Sequence, residues 1–443
     1  MASAGIHVLR PLKTSPDAPP IESQSVAPGE IAVGVVIGRA SEYFDFVVYG
    51  IASVLVFPSL FFPFVDRLQG TLYAFALLAV AFVVRPLGTL LGMALQRRTG
   101  RSTKLTAALF LLGCSTVGMA LLPNSADAGA WTAISLLTLC RVGQGIALGA
   151  SWDGLPSLLA LNAPESRRGW YAMLGQLGAP LGFLFACGLF SYLWSSLSPA
   201  DFLSWGWRYP FFAAFAINVV GLFARLRLVV THEYERQLQA HELDPCDPAE
   251  LVHKQGLHVV IGAFAALASY ALFHIVTVFP LSWVALYSPQ EIGPFLTVEL
   301  VGALLCAAAM PLSGLMADRI GRRRTLGTLA LLIAAFSVVT PWLLGGGWAG
   351  RDGFILLGFV LLGLSYGQSA GSVTSNFLPR FRYTGAALTA DMAWLVGAAF
   401  APLIALGLSA RYGLLAVSVY LLTGAACTLL ALMVNRRLYA VRD

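Results

Sequence analysis

Charged side chains recur inside the long apolar runs of this chain, where each one is costly and demands a partner or a purpose. In the first run Arg39, Glu42 and Asp45 stand at i, i+3 and i+6, on one side of a helix, with Tyr49 one turn further. Three charges near mid-membrane cost roughly 8–10 kcal/mol, more than the about 4–8 kcal/mol that the run's large apolar residues return. That face must meet water or partner charges. It reads either as an ion-pair cluster that holds a bundle closed or as a gating and proton-binding site. Arg85 lies near mid-depth of the second run, and Arg141 with Gln144 shares one face of the fourth. Two guanidiniums can grip a carboxylate through forked hydrogen bonds; the alternative is that they neutralise Glu42, Asp45 or Asp153. In the second half His274, Glu299 and Asp391 are isolated ionisable groups, read as proton carriers or as satisfied hydrogen bonders. Gln368, Ser372 and Ser375 form a polar stripe at helical spacing, fit to line a cavity or to join helices. Gly367 to Gly371 matches the G-x-S-x-G pattern of hydrolases, but that chemistry needs a strand-turn-helix elbow and the pattern falls in an apolar helix. An enzyme is not expected, nor any cofactor or metal site.

The elements that position these residues are membrane helices. The chain is 58% hydrophobic and 11% charged, with mean hydropathy +0.75. Twelve runs can span a bilayer: 31–60, 71–95, 105–122, 131–161, 170–193, 209–230, 257–287, 294–317, 326–344, 354–378, 385–409 and 413–434. Arg98-Thr99-Gly100-Arg101 and Arg319-Ile320-Gly321-Arg322 lie 221 positions apart, almost half of 443, each between two apolar runs. The chain is therefore a tandem duplication of a helical unit, an organisation typical of transporters. The expected order is a disordered tail over 1–30, six helices over 31–230, a polar linker over 231–256, six helices over 257–434 and a short tail over 435–443. With both termini in the cytoplasm, 21 of the 28 Lys and Arg fall in cytoplasmic tails and loops. The +6 net charge thus reports topology, which removes the case for nucleic-acid binding. The six Cys have no C-x-x-C spacing and mostly sit in apolar runs, so neither a disulfide framework nor a zinc site is indicated.

At the level of motifs the chain resembles the major facilitator superfamily, and within it the metabolite:proton symporters. The loop signature G-x-x-x-D-R-x-G-R-[RK] is complete as Gly314, Asp318, Arg319, Gly321, Arg322 and Arg323. Glu42-Tyr43-Phe44-Asp45-Phe46, Arg85-Pro86-Leu87-Gly88, Arg141 with Gln144, and Arg382-Tyr383-Thr384-Gly385 carry the narrower likeness. The resemblance implies an all-α fold of twelve helices in two pseudo-symmetric halves. It also implies proton-coupled uptake of a small organic acid by alternating access in a bacterial inner membrane. Arg85, Arg141, Gln144, Tyr49, Gln368 and Ser372 are then the substrate candidates, and Asp45, Glu42, Asp153, Asp391, His274 and Glu299 the proton candidates. Arg39 and the two loops (Arg97, Arg98, Gly100, Arg101, and the second copy) are the gating candidates. The partners expected are a metabolite, protons and lipid, with the protein acting as a monomer. A zwitterion such as a betaine, an exporter, or a non-transporting sensor are the alternatives. Three departures stand out. In the first loop Met93 and Arg97 replace the family's Gly and Asp, which predicts a weaker latch there. Asp153 stands two places from the family's acid, and Arg39 and Asp391 take positions where relatives carry Asn.

Overall fold

The computed structural model describes residues 28–152, 154, 159, 163–229, 244–288, 290–369 and 377–440. Among them there is no strand, and twelve helical segments run back and forth. They are α1 Pro28–Leu55, α2 Arg67–Thr99, α3 Arg101–Ala120, α4 Ala130–Ala150, α5 Arg168–Ser196 and α6 Tyr209–Val229, then α7 Pro248–Tyr287, α8 Ile292–Ile320, α9 Arg322–Gly345, α10 Gly347–Tyr366, α11 Arg382–Tyr412 and α12 Leu415–Ala440. Eleven are long and apolar enough to cross a membrane; α1 is the twelfth, and every 18-residue window of it contains Arg39, Glu42 and Asp45. Large apolar side chains such as Phe110, Trp131, Leu139 and Val220 face outward, as lipid requires.

The duplication is visible in the backbone. Gly100 joins α2 to α3 and Gly321 joins α8 to α9, each with φ of +86°, a conformation that a side chain disfavours. Each also closes the preceding helix with a bond to the carbonyl four residues back, Gln96 and Ala317. We call the end of the bundle that carries these loops the basic end, and the other the far end.

Three differences from the expected boundaries bear on the candidate residues or the linker. The helix of the fourth run stops at Ala150 and that of the tenth at Tyr366, with Gly367 to Ser369 in a turn, so the G-x-S-x-G pattern begins at a helix end and not within a helix. Asp153 and Ser372 fall outside the described residues, as does Ser375. The seventh helix begins at Pro248, inside the stretch read as linker, because Asp247 accepts from the Ala249 N–H and Pro248 fits the first helical turn.

Within the first half, α2 and α4 touch backbone to backbone. A Cβ on Gly145 would lie 2.5 Å from the Ala81 carbonyl, and one on Gly149 2.1 Å from that of Arg85. The halves α1–α6 and α7–α12 meet along two seams, α2 against α11 and α5 against α8. α11 changes to a π-helix over Trp394–Ala399 where it faces α2.

Candidate functional site

Along the α2–α11 seam, residues three or four apart on each helix meet in layers. Phe82 stacks on Trp394, with ring centres 5.3 Å apart and planes 6° from parallel. One turn nearer the basic end, Arg85 Nε lies 2.8 Å from Asp391 Oδ1, a buried ion pair between the halves. Thr89 donates to the other oxygen at 2.5 Å. The Arg85 Nε–H is not aligned as a hydrogen bond despite its closeness, so the attraction is mainly charge. Above this floor Trp394 is the hub of an aromatic box, with Tyr43, Phe46 and Phe82 from the first half and Tyr270, Phe273 and Tyr366 from the second. The Tyr43 and Tyr366 hydroxyls join across the halves. His274 lies in the box, its ring centre 5.0 Å from that of Phe46, and neither of its nitrogens has a hydrogen-bond partner. Beside it a small cavity of about 10 Å³, lined by Phe183, Thr277, Cys306 and Tyr366, has room for about one water. The site is occluded.

The remaining charges of α1 separate into two groups. Glu42 bridges Arg39 (2.9 Å) and Arg225 of α6 (2.6 Å) and accepts from Ser151 at 3.3 Å. Asp45 accepts from Thr116 (2.7 Å) and from the amide of Gln144 (3.0 Å). The other end of that amide accepts from Arg141 at 2.6 Å. Arg141 also donates to the Leu77 and Leu78 carbonyls at 3.2 and 2.6 Å and stacks on Tyr49, whose ring centre is 3.8 Å away. All of these partners belong to the first half, so Arg141, Gln144, Tyr49 and Asp45 form one buried network within it. Arg141→Met is therefore expected to lower stability by about 3–5 kcal/mol, because it strands the carboxylate side of the network. Thermal unfolding of the solubilised protein checks this; a variant as stable as the parent would favour a carboxylate-binding role for Arg141.

At the basic end the two loops differ as their sequences do. Asp318 of α8 accepts from the backbone N–H groups of Gly169 (2.6 Å) and Trp170 (3.2 Å), capping α5 across the halves. Gly314 allows that approach, since a Cβ there would lie 3.0 Å from the Trp170 backbone. Gln368, expected in the substrate cavity, lies at this latch instead, donating to the Gly169 carbonyl at 3.1 Å and lying 3.5 Å from Arg322 Nε. In the first loop Arg97 and Arg98 are exposed, as are Arg319 and Arg323 in the second. The contact falls to the neighbour, Gln96. Lys104, buried, donates to Gln96 (2.9 Å), to the Tyr383 hydroxyl (3.2 Å) and to the Trp152 carbonyl, and Tyr383 belongs to α11. A latch thus exists on this side too, built from residues other than the family's Asp.

Sequence reasoning missed Arg225, Lys104, Tyr383 and the aromatic box. Arg225 and Lys104 stand near the ends of apolar runs, where a basic residue reads as a loop cation, and at 12% aromatic content no one ring stands out.

A bundle of twelve membrane helices in two related halves, with a buried ion pair at the seam between them, is the architecture of a transporter, and this chain belongs to the major facilitator superfamily, among its metabolite transporters. The family model described as "Sugar (and other) transporter" matches residues 31–234. The chain is 37% identical to the inner membrane metabolite transport protein YhjE of Escherichia coli, over 94% of this chain and 95% of that one. It is 32% identical to the shikimate transporter of the same organism, over 89% and 91%. The crystal structure of a D-xylose-proton symporter superposes with a TM-score of 0.68 at 17% identity, over 91% and 96%.

Proposed function

We propose that the protein imports a small hydroxylated monocarboxylate together with a proton across a bacterial inner membrane. One observation carries this reading: the Arg85–Asp391 pair joins the two halves beneath an occluded aromatic box. A buried guanidinium without a counter-ion is strongly unfavourable, and in the empty closed state the protein's own carboxylate fills that place. A substrate carboxylate that takes Arg85 with a forked pair of bonds displaces Asp391. Asp391, still buried and now without its cation, accepts a proton. Anion and proton then cross together, and this exchange on its own moves no net charge. The faces of Phe82 and Trp394 bound the substrate body, and the two unpartnered nitrogens of His274 meet its hydroxyls. The proton goes to Asp391 in preference to Asp45, because Asp391 loses its cation when substrate takes Arg85, whereas both oxygens of Asp45 keep their partners inside the first half. Likeness to a shikimate transporter supports a hydroxylated acid.

A second reading, uptake of a betaine, is favoured by the box itself, because aromatic faces attract quaternary ammonium groups. Uptake into proteoliposomes separates the two, with shikimate, other monocarboxylates, glycine betaine and xylose tested with and without an acidic exterior. Accumulation of a monocarboxylate that requires the pH gradient is the expected result. Betaine or xylose uptake with no carboxylate transported would reject the assignment.

The basic end is proposed to face the cytoplasm, on the strength of the Lys and Arg distribution. In a variant lacking Cys114, thiols introduced at Ser125 or Ala200 are expected to react with an impermeant reagent applied outside intact cells, and one at Thr99 is expected not to. The reverse pattern would invert the topology.

A further inference from the structure

The α5–α8 seam is the counterpart, in the repeat, of the α2–α11 seam, yet its charge content is different. The position 221 residues after Arg85 is Cys306, an apolar neighbour in the occluded centre. Apart from Asp318 at the basic end, this seam holds a buried acid, Glu299, seven residues into α8 from the far end. It is fully buried. Its Oε1 has no hydrogen-bond partner, and its Oε2 lies 3.9 Å from Sγ of Cys187 on α5. Among the described residues that thiol is the titratable group facing it. Arg351 of α10 turns to Gln290 at 3.0 Å, Tyr366 of α10 bonds Tyr43, and His274 of α7 sits in the aromatic box. Among the described residues no cation pairs with Glu299, and its own helix flanks it with buried Phe295, Leu296, Gly302 and Ala303. A cavity of about 690 Å³ opens at the far end of the same seam, between Ser191, Trp194 and Ser195 of α5 and Ile292 and Thr297 of α8. Ser195, Ser191 and Cys187 occupy successive turns of α5, so Ser191, which lines the cavity, stands four residues, about 6 Å along the helix, from Cys187.

We propose that Glu299 is a second proton-binding site, loaded from the far end through this cavity and carried as the neutral acid while the seam is closed. The inference rests on the proton-coupled reading above and adds a second proton to it. Ionised Glu299 is compatible with a seam parted to water and not with the closed wall, so closure requires the proton to bind the carboxylate first. Release follows when the halves rock apart at the basic end, where Asp318 now caps α5. Two protons with one monocarboxylate carry one positive charge. An inside-negative potential of 100 mV at equal pH then supports accumulation up to about 50-fold, where the Arg85–Asp391 exchange alone supports none.

Two measurements test this. The first needs no substrate: the infrared difference spectrum, at pH 7 in lipid, between the parent and Glu299→Gln. The expected result is a C=O stretch of a neutral carboxyl group present only in the parent; a carboxylate band instead would overturn the proposal. Should the Gln variant fail to fold, Cys187→Ala leaves the acid in place and is expected to shift the same band, whereas no shift and no neutral band would be equally decisive against it. The second is potential-driven uptake at equal pH of the monocarboxylate that accumulates best in the panel. Stimulation in the parent, lost in Glu299→Gln with uptake driven by the pH gradient retained, is expected. Indifference of the parent to potential would remove the second proton and leave the first in place. If no carboxylate in the panel accumulates with a pH gradient, the transport assignment fails, and the infrared result still decides whether Glu299 holds a proton.

Discussion

Asp391→Asn is expected to abolish accumulation of a monocarboxylate driven by a pH gradient while preserving exchange of labelled for unlabelled substrate. Asparagine keeps the size of the side chain and a partner for Thr89 but neither pairs Arg85 nor takes up a proton. Exchange requires only that Arg85 be occupied by substrate on each crossing, and with its competitor gone the substrate binds at least as well as in the parent. Arg85→Lys is expected to lose both activities by about 10- to 100-fold, since lysine keeps the charge and loses the fork, a difference of about 1.5–3 kcal/mol. Uptake and counterflow measured side by side separate the two roles. Accumulation by Asp391→Asn as steep as that of the parent would move the proton to another acid, Asp45 first.

The second large effect is expected at the basic end. Asp318→Asn weakens two charge-assisted bonds to the start of α5, and a loss of about 1.5–3 kcal/mol shifts the balance of conformations about 10- to 100-fold toward opening there. Tyr383→Phe acts on the other seam by removing a partner of the buried Lys104. About tenfold is expected from that change. Arg97→Asp, at the family's usual latch position, is expected to do little, because Arg97 is exposed and the contact runs through Gln96. A cysteine in place of Ser313, buried beneath the latch, reports each change as faster alkylation. Equal rates in parent and Asp318→Asn would mean that the cap does not hold the closed state.

Much of the scaffold was readable because its signals are local. A run of about 20 apolar residues is a span wherever it lies, and the glycine of each basic loop marks the same left-handed turn in both copies. Arg85 and Asp391 were singled out one by one as costly charges. Their pairing was not, since 306 positions separate them and helices apolar all round give no periodic contrast to orient one against another. The same blindness hid Arg225 and Lys104. Charged residues near helix ends look like loop cations until the fold turns them inward onto Glu42 and Gln96. Arg141 and Gln144 share a face, as their spacing predicts, and that face meets Asp45 of α1 and the Leu77 and Leu78 carbonyls of α2. The fourth and tenth helices end early for a related reason: hydropathy continues past Ala150 and Tyr366, and composition alone does not register the turn that follows each.

The exchange of Asp391 for a substrate carboxylate on Arg85 is tested most directly by counting protons as substrate binds. In weakly buffered solution, purified protein mixed with the monocarboxylate it accumulates is expected to take up about one proton per molecule bound, seen as a rise in pH. Asp391→Asn is expected to bind the same compound with no such rise. Binding by the parent without proton uptake, or with uptake undiminished in Asp391→Asn, would contradict the exchange.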